Sequence, residues 1–402
     1  MRAAACAALH QALLALRHGL GSAEAADHPG SDGGDVAVVA LFLPTLRKAP
    51  LPLGQARGVG ILERAHCYNF GCRPIAGSFN GRTADSGSAY RGSSPCPATT
   101  SFMDWNAPRI NSLIERALIE DHVLGDTTTQ YTVDARQVSQ AEIIAKQACV
   151  LSGLGAIPRV FDIYTSLRLK AGRSEPLPPV VVTSRAEIFD GVRLQPGQTI
   201  AVLRGPAWPL LSCERVTLNL LQRLSGIATL TRQFVEAVKD LPVRILDTRK
   251  TAPGMRVLDK YAVTCGGGHN HRSDLSDAIL IKNNHIRLAG GLATALQRAR
   301  DRRRPGQSIE VEVRSAAELD AALAGGAERV LLDNMTPEQV TAAVATVAGR
   351  AQIEVSGGVR LATVRAYAAA KPNFISVGAL THSAPAVDLS MRIIPVGVAA
   401  VS

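Results

Sequence analysis

The chain has 402 residues, a formal net charge of +10, and 46% hydrophobic against 19% charged residues. That length suffices for two domains with a sizeable core, and the positive excess favours anionic partners. Only 4% of residues are aromatic and there is no long Lys/Arg run, so extensive stacking platforms for single-stranded nucleic acid are not expected and no nucleic-acid partner is assigned.

Residues 1–102 are rich in Gly, Ser, Ala and Pro, as in Pro29–Gly34 and Gly77–Ala98, and carry little sustained periodicity. Such a segment is poorly equipped to offset its ordering entropy by burial. It reads as a disordered extension, or else Met1 lies upstream of a natural start at Met103. Ala3–Leu16 has some Ala/Leu-rich helical character, but His10 and Gln11 interrupt it and no clean cleavage site follows. No apolar run is long enough for a membrane span. The seven cysteines include no pair of CxxC motifs, so neither a zinc site nor a disulfide framework is expected and a reducing cytoplasm is the default.

Helical periodicity starts at Asn106, read as an N-cap, with Ile110, Leu113, Ile114, Ala117 and Leu118 on one face. Ala141–Val150 reads as a strand, Gln195–Gln198 as a turn and Thr199–Leu203 as a short strand. A second helix carries Val216, Leu220, Leu221 and Leu224, with Ser212 as its cap. Together these elements suggest a mixed α/β region.

After about residue 240 short apolar strands alternate with helices. The strands are Val243–Leu246, Ala278–Ile281, Ile309–Val313, Arg329–Leu332, Gln352–Val355 and Phe374–Val377; the helices include Leu292–Arg302, Ala316–Ala324, Pro337–Ala348 and Leu361–Ala369. This alternation predicts parallel β/α units. A doubly wound sheet is disfavoured because no GxGxxG fingerprint follows a first strand. A β/α barrel is expected, with its active site at the C-terminal strand ends.

Chemistry-capable residues fall at those ends. Arg249 and Lys250 follow the first strand, and Gly266–Gly268 lead to the basic pair His271 and Arg272. Lys282, Glu312 and Asp333 close the next three strands, and Ser356, Gly357 and Gly378 close the last two. Arginines offer bidentate donors to carboxylate or phosphate, and glycines let a backbone approach a ligand closely. Clustered cations would repel one another without an anion. Glu312 and Asp333 suit Mg²⁺, ribose hydroxyls or positive charge developing on a sugar carbon. Glu310, deeper in the same strand as Glu312, reads as an ion-pair partner. His269 and His271 form an HxH pair with no third ligand cluster, and Cys265 reads as a small packing residue.

The ordered set of motifs resembles the quinolinate phosphoribosyltransferase (nicotinate-nucleotide pyrophosphorylase, carboxylating) family. The matching text runs from Glu120-Asp121 and Gly125–Thr128 through Glu214–Asn219, Leu224–Thr229, Asp247–Gly254 and Asn270–Arg272. It continues through Ile281–His285, Glu310–Val313, Leu332–Asn334, Ser356–Gly358 and Val377–His382. The resemblance implies an α/β sandwich domain (103–225 with 385–402), an incomplete seven-stranded TIM-like β/α barrel (226–384) and an extension over 1–102. It implies a homodimer, extending to a hexamer or not, in which Arg215 reaches into the other subunit's site.

By position, Arg249, Lys250, His271, Arg272 and Lys282 would bind quinolinate carboxylates and the phosphorylated sugar of phosphoribosyl pyrophosphate. Ser356, Gly357 and Gly378 would hold the 5-phosphate. Lys250, Lys282, Glu312 and Asp333 would be catalytic, with Glu312 and Asp333 also near Mg²⁺ held mainly by substrate. The product would be nicotinic acid mononucleotide, for NAD biosynthesis. A fold-sharing paralogue associated with molybdenum uptake, a barrel aldolase or isomerase using Lys282 as a Schiff base, and a non-enzymatic nucleic-acid-binding protein using its positive charge are the rival readings.

Overall fold

Ile110, Ile114 and Leu118 stand four residues apart on helix α1 (Pro108–Glu120) and are its buried residues. The computed structural model describes residues 103–173 and 177–396; the reading of residues 1–102 lies outside them. Asn106 does not cap α1. Ala107 holds the N-cap position without a side-chain bond, and Pro108 starts the helix, where a missing N–H costs nothing.

Helix α2 (Thr127–Thr132) is capped by Asp126, whose carboxylate accepts from Thr129 N. The long strand expected over 141–150 is two elements: β1 (Val138–Ala145) and β2 (Cys149–Val150). Helix α3 (Ala156–Lys170) follows, then β3 (Val181–Thr183), β4 (Arg193–Leu194) and β5 (Thr199–Pro206). Ser139, Ala141, Ile143 and Ala145 alternate inward along β1, the period-2 pattern of a sheet with one face on the core.

Helix α4 (Ala207–Ser212) ends where α5 (Glu214–Ala237) begins. Ser212 does not cap α5. It closes α4, and its hydroxyl donates to Asp126 at 2.9 Å. The chain returns at its end to this first sheet, whose order is β12-β1-β5-β3, through β12 (Leu389–Pro395) pairing antiparallel with β1.

Beyond α5 come β6 (Arg244–Leu246), α6 (Arg256–Cys265), β7 (Ile279–Ile281), α7 (Asn283–Ala289), α8 (Leu292–Arg302) and β8 (Ile309–Val313). Then follow α9 (Ala316–Ala324), β9 (Arg329–Asp333), α10 (Pro337–Val347), β10 (Gln352–Ser356), α11 (Val364–Ala369), β11 (Phe374–Ser376) and α12 (Ala379–His382). Thr336 and Gln339 form a reciprocal capping box on α10, with Pro337 at its first position.

The strands make one parallel sheet ordered β6-β11-β10-β9-β8-β7. An isolated parallel bridge between Leu246 and His269 adds a further short rung beside β6. The sheet therefore curls as an incomplete TIM-like barrel with an open seam between the His269 segment and β7. Ile309, Val311 and Val313 of β8, like Val330 and Leu332 of β9, are fully buried, each worth about 1.5–3 kcal/mol against exposure. The alternate residues Glu310, Glu312 and Glu354 are buried as well, so this barrel carries charge where branched apolar side chains usually fill the interior. No helix among the described residues is long and apolar enough to cross a membrane.

Candidate active site

Parallel pairing aligns the strand ends: Ser356 lies opposite Asp333, and Ser376 opposite Leu246. The residues just past those ends surround a cleft of about 660 Å³. Arg249, Lys250, His271, Arg272, Lys282, Glu312, Asp333, Ser356, Gly357 and Gly378 all line it. Arg215 does not; it is exposed near the start of α5.

One half of the cleft is cationic. Arg249 Nε is buried without a protein hydrogen-bond partner. Burial and the nearby Arg249 both lower the Arg272 pKa from its usual value. Two neighbouring guanidiniums suit a shared anion, and a dicarboxylate would supply forked acceptors to both. Arg272 is anchored by Nη1 donating to Ala278 O at 3.1 Å.

The acids sit beside this half. Lys282 Nζ donates to Glu312 Oε2 at 2.8 Å, and Arg314 approaches the other oxygen at 3.6 Å. Arg314 Nε also donates to Asp333 Oδ2 at 3.1 Å, while the Asn334 amide donates to Oδ1 at 3.1 Å. Two carboxylates against two cations leave no surplus negative charge for an all-protein metal cage. Their hard oxygens do fit Mg²⁺ carried mainly on substrate phosphates.

The other half is a backbone cradle. Gly357 and Gly358 have φ of +95° and +65°, a region that favours glycine. A Cβ at Gly357 would collide with Asn334 Oδ1 and lie 2.9 Å from Asn334 N. A Cβ at Gly378 would come within 3.1 Å of both Lys250 and His382. Exposed N–H groups at such turns form an anion-binding concavity.

The floor of the site is a buried polar layer. Asp247 Oδ1 accepts from Lys260 Nζ at 2.5 Å and from His271 N at 2.8 Å, and Lys260 also donates to His271 O at 2.9 Å. Burial raises the Asp247 carboxyl to about 6 even beside Lys260. His271 Nε2 lies 3.1 Å from Glu310 and 3.4 Å from Glu354, so Glu310, deep in its strand, is a hydrogen-bonding partner of the buried imidazole.

Burial opposes charge on His271, but the bonds to Glu310 and Glu354 outweigh it and would hold a second ring proton up to about pH 9. The Arg272 N–H, however, points at Nδ1 from 2.7 Å and leaves no room for that proton. Burial and the neighbouring Glu354 meanwhile push the Glu310 carboxyl upward. His269 is exposed and takes no part in this cluster.

Thr248, Asn334, Glu354, Arg360 and His382 also line the cleft, and Arg314 reaches its two acids, yet none was singled out as a site residue from sequence. Asn334 and His382 stand inside the motif text and were within reach; Glu354, Arg314 and Arg360 carry no local signature. Cys265, read as a packing residue, is buried.

A parallel β/α barrel with a cationic pocket, paired acids and a glycine cradle at its strand ends is an arrangement suited to an enzyme acting on anionic, phosphorylated substrates. Family models agree: the quinolinate phosphoribosyl transferase N-terminal domain matches residues 126–225 and the C-terminal domain residues 227–392. The chain therefore belongs to the quinolinate phosphoribosyltransferase family. It is 39% identical over 288 residues to a probable nicotinate-nucleotide pyrophosphorylase [carboxylating] of Bacillus subtilis, covering 72% of this chain and 94% of that one. The Mycobacterium leprae nicotinate-nucleotide pyrophosphorylase [carboxylating] is 40% identical over 282 residues, covering 69% and 95%. Among solved structures, NadC from Streptococcus pyogenes superposes with a TM-score of 0.67 at 37% identity, covering 74% of this chain and 100% of that one. The nicotinate-nucleotide pyrophosphorylase from Francisella tularensis gives a TM-score of 0.64 at 36% identity, covering 72% and 98%.

Proposed function

We infer that this chain transfers a phosphoribosyl group from phosphoribosyl pyrophosphate to the ring nitrogen of quinolinate and releases CO₂, forming nicotinic acid mononucleotide for NAD biosynthesis. The observation that carries this reading is one cleft holding Arg249, Lys250, Arg272 and Lys282 on one side and the Gly357–Gly358 and Gly378 turns on the other. A dicarboxylate suits the first side and a sugar phosphate the second, with Glu312 and Asp333 between them.

The chemistry follows from that division. The pyridine nitrogen lone pair forms a bond to the anomeric carbon as the bond to pyrophosphate oxygen breaks. Positive charge grows on the sugar, where Glu312 and Asp333 stabilise it in a partly desolvated site. These two residues are also where Mg²⁺ would be held, and the ion would neutralise the departing pyrophosphate. Quaternising the nitrogen then lets the adjacent carbon–carbon bond break. CO₂ leaves, the electron pair stays on the ring as an ylid, and a proton replaces it. Lys250 and Lys282 orient the departing carboxylate.

The active unit is a homodimer in which Arg215 serves the partner's cleft; its exposure away from its own cleft favours that placement. The buried free thiols of Cys149, Cys213 and Cys265 suit a reducing, cytoplasmic setting. The intact basic set argues against the fold-sharing paralogue. The pairing of Lys282 with Glu312 argues against a Schiff-base lysine, which needs a desolvated, neutral amine.

The test is an assay of the purified full chain with quinolinate, phosphoribosyl pyrophosphate and Mg²⁺, following CO₂ and the mononucleotide. Turnover that disappears on chelation is expected. No turnover with quinolinate, under conditions where the chain binds phosphoribosyl pyrophosphate, would reject it.

A further inference from the structure

The barrel's seam is closed by side chains rather than by a strand ladder. The His269 segment pairs with β6 on one side, while β7 pairs with β8 on its far side. Across the gap, His271 reaches Glu310 of β8 and Glu354 of β10 through Nε2 at 3.1 and 3.4 Å. Both carboxylates are at least nine-tenths buried, and Glu310 Oε1 and both Glu354 oxygens have no protein hydrogen-bond donor. Arg329, stacked 4.3 Å over the Phe374 ring, lies 3.7 Å from Glu354 and offsets part of the charge.

The opposite edge of the same imidazole is also committed. Nδ1 receives the Arg272 N–H at 2.7 Å, so it presents a lone pair and the ring proton sits on Nε2. His271, Glu310 and Glu354 are also the one group among the described residues whose donor atoms converge closely enough to suggest a metal. A metal on Nε2 would need the proton on Nδ1, where the Arg272 N–H already points. The cluster is therefore a hydrogen-bonded brace.

We propose that Glu310 and Glu354 are positioning residues for substrate recognition: Glu310 takes the Nε2–H of His271 across the open seam while Glu354 stands 3.4 Å from the same nitrogen, and together they fix Nδ1 as the acceptor for Arg272 N–H and so set the Arg272 guanidinium at the cleft. His271 then acts through Arg272 rather than as a cation facing substrate. Its ring is only 9% exposed, while Arg272 lines the cleft and is tethered at its far end to Ala278 O. This assignment rests on the reading of Arg272 as a ligand for a quinolinate carboxylate. The brace itself is geometric and does not.

Two measurements on the full chain separate the brace from that reading. In the first, selective ¹⁵N-histidine NMR, with the signal assigned by its loss in His271→Gln, should show His271 protonated at Nε2 and bare at Nδ1. A ring protonated at Nδ1 or at both nitrogens overturns the brace, whatever the enzyme catalyses. In the second, Glu354→Gln and Glu310→Gln should raise KM for quinolinate about tenfold or more, the scale on which outer partners tune a ligand-binding group. KM for phosphoribosyl pyrophosphate should stay within about twofold. Where either variant fails to fold, His271→Leu, which removes the Nδ1 acceptor, should give the same split. Equal rises in both KM values, or none, overturn the positioning role. A wild-type chain without turnover on quinolinate would overturn the role in recognition while leaving the NMR result to decide the brace.

Discussion

Lys282 Nζ donates to Glu312 Oε2 across 2.8 Å, and the acid is buried while the lysine is about half exposed. The pair joins the cationic and acidic halves of the cleft, so an incoming carboxylate must compete with Glu312 for the ammonium. Under the proposed function, recognition by Lys282 and charge stabilisation by Glu312 would thereby be linked: a substrate that draws the lysine away would free the acid for the sugar.

Lys282→Ala should therefore lower kcat by about 10²-fold, the scale of removing one preorganised electrostatic group, and raise KM for quinolinate. Lys250→Ala tests the other candidate for the departing carboxylate. With quinolinate labelled in that carboxylate, single-turnover experiments should show CO₂ release falling further than pyrophosphate release in at least one variant. Equal loss of both steps in both variants would remove these lysines from the decarboxylation step.

The glycine cradle makes a separate prediction. Gly357 combines a φ of +95° with a projected Cβ only 2.9 Å from the Asn334 backbone nitrogen, so neither a rotamer change nor a small side-chain shift relieves a methyl there. Gly357→Ala should cost about 1–3 kcal/mol in strain, read by denaturant titration. It should also raise KM for phosphoribosyl pyrophosphate about tenfold with little change for quinolinate. A rise confined to quinolinate would place the phosphate elsewhere.

Beneath the cleft, the Asp247–Lys260 pair gives a pH signature. Burial lifts the Asp247 carboxyl to about 6, above the ~3.9 expected when unfolded, so the folded state binds this proton more tightly. The resulting stabilisation is fully present below the unfolded value and is lost as pH rises through about 6. Lys260→Met removes the cation that eases ionisation, which extends the loss to higher pH. The variant should be less stable than the wild type by about 3–5 kcal/mol near pH 7, with the deficit shrinking toward pH 4. Denaturation across pH 4–8 checks this, and a pH-independent deficit would mean that Asp247 ionises freely without Lys260.

Much of this architecture was legible because parallel strands announce themselves twice, by a short apolar run and by a polar residue at its end. Val243–Leu246 against the observed Arg244–Leu246, and Ile309–Val313 as found, show how little the boundaries moved. The rim residues were legible for the same reason. Glu354 was not: it stands inside the strand Gln352–Ser356 with no motif around it, and its meaning comes from facing His271 across the barrel. Arg314 and Lys260 likewise acquire roles only through partners 19 and 13 residues away in sequence. The misplaced caps at Asn106 and Ser212 were local competitions that sequence leaves open, since a polar side chain can bond nearby backbone or a distant acid equally well.

Arg215 gives the sharpest test of assembly. It is exposed on the first turn of α5 and absent from the cleft lined by the other ten residues expected to bind or act. If it completes a partner's site, Arg215→Ala and Lys250→Ala should each be nearly inactive alone. Mixed after subunit exchange, they should recover activity, because a dimer with one subunit of each kind holds one site with both residues intact. The recovered kcat should grow with the fraction of mixed dimers measured by native mass spectrometry, while both parents remain dimers. A mixture no more active than the sum of its parts, with subunit exchange demonstrated, would confine each site to one chain. Arg215 would then be a surface charge near Glu214 rather than a group that touches substrate.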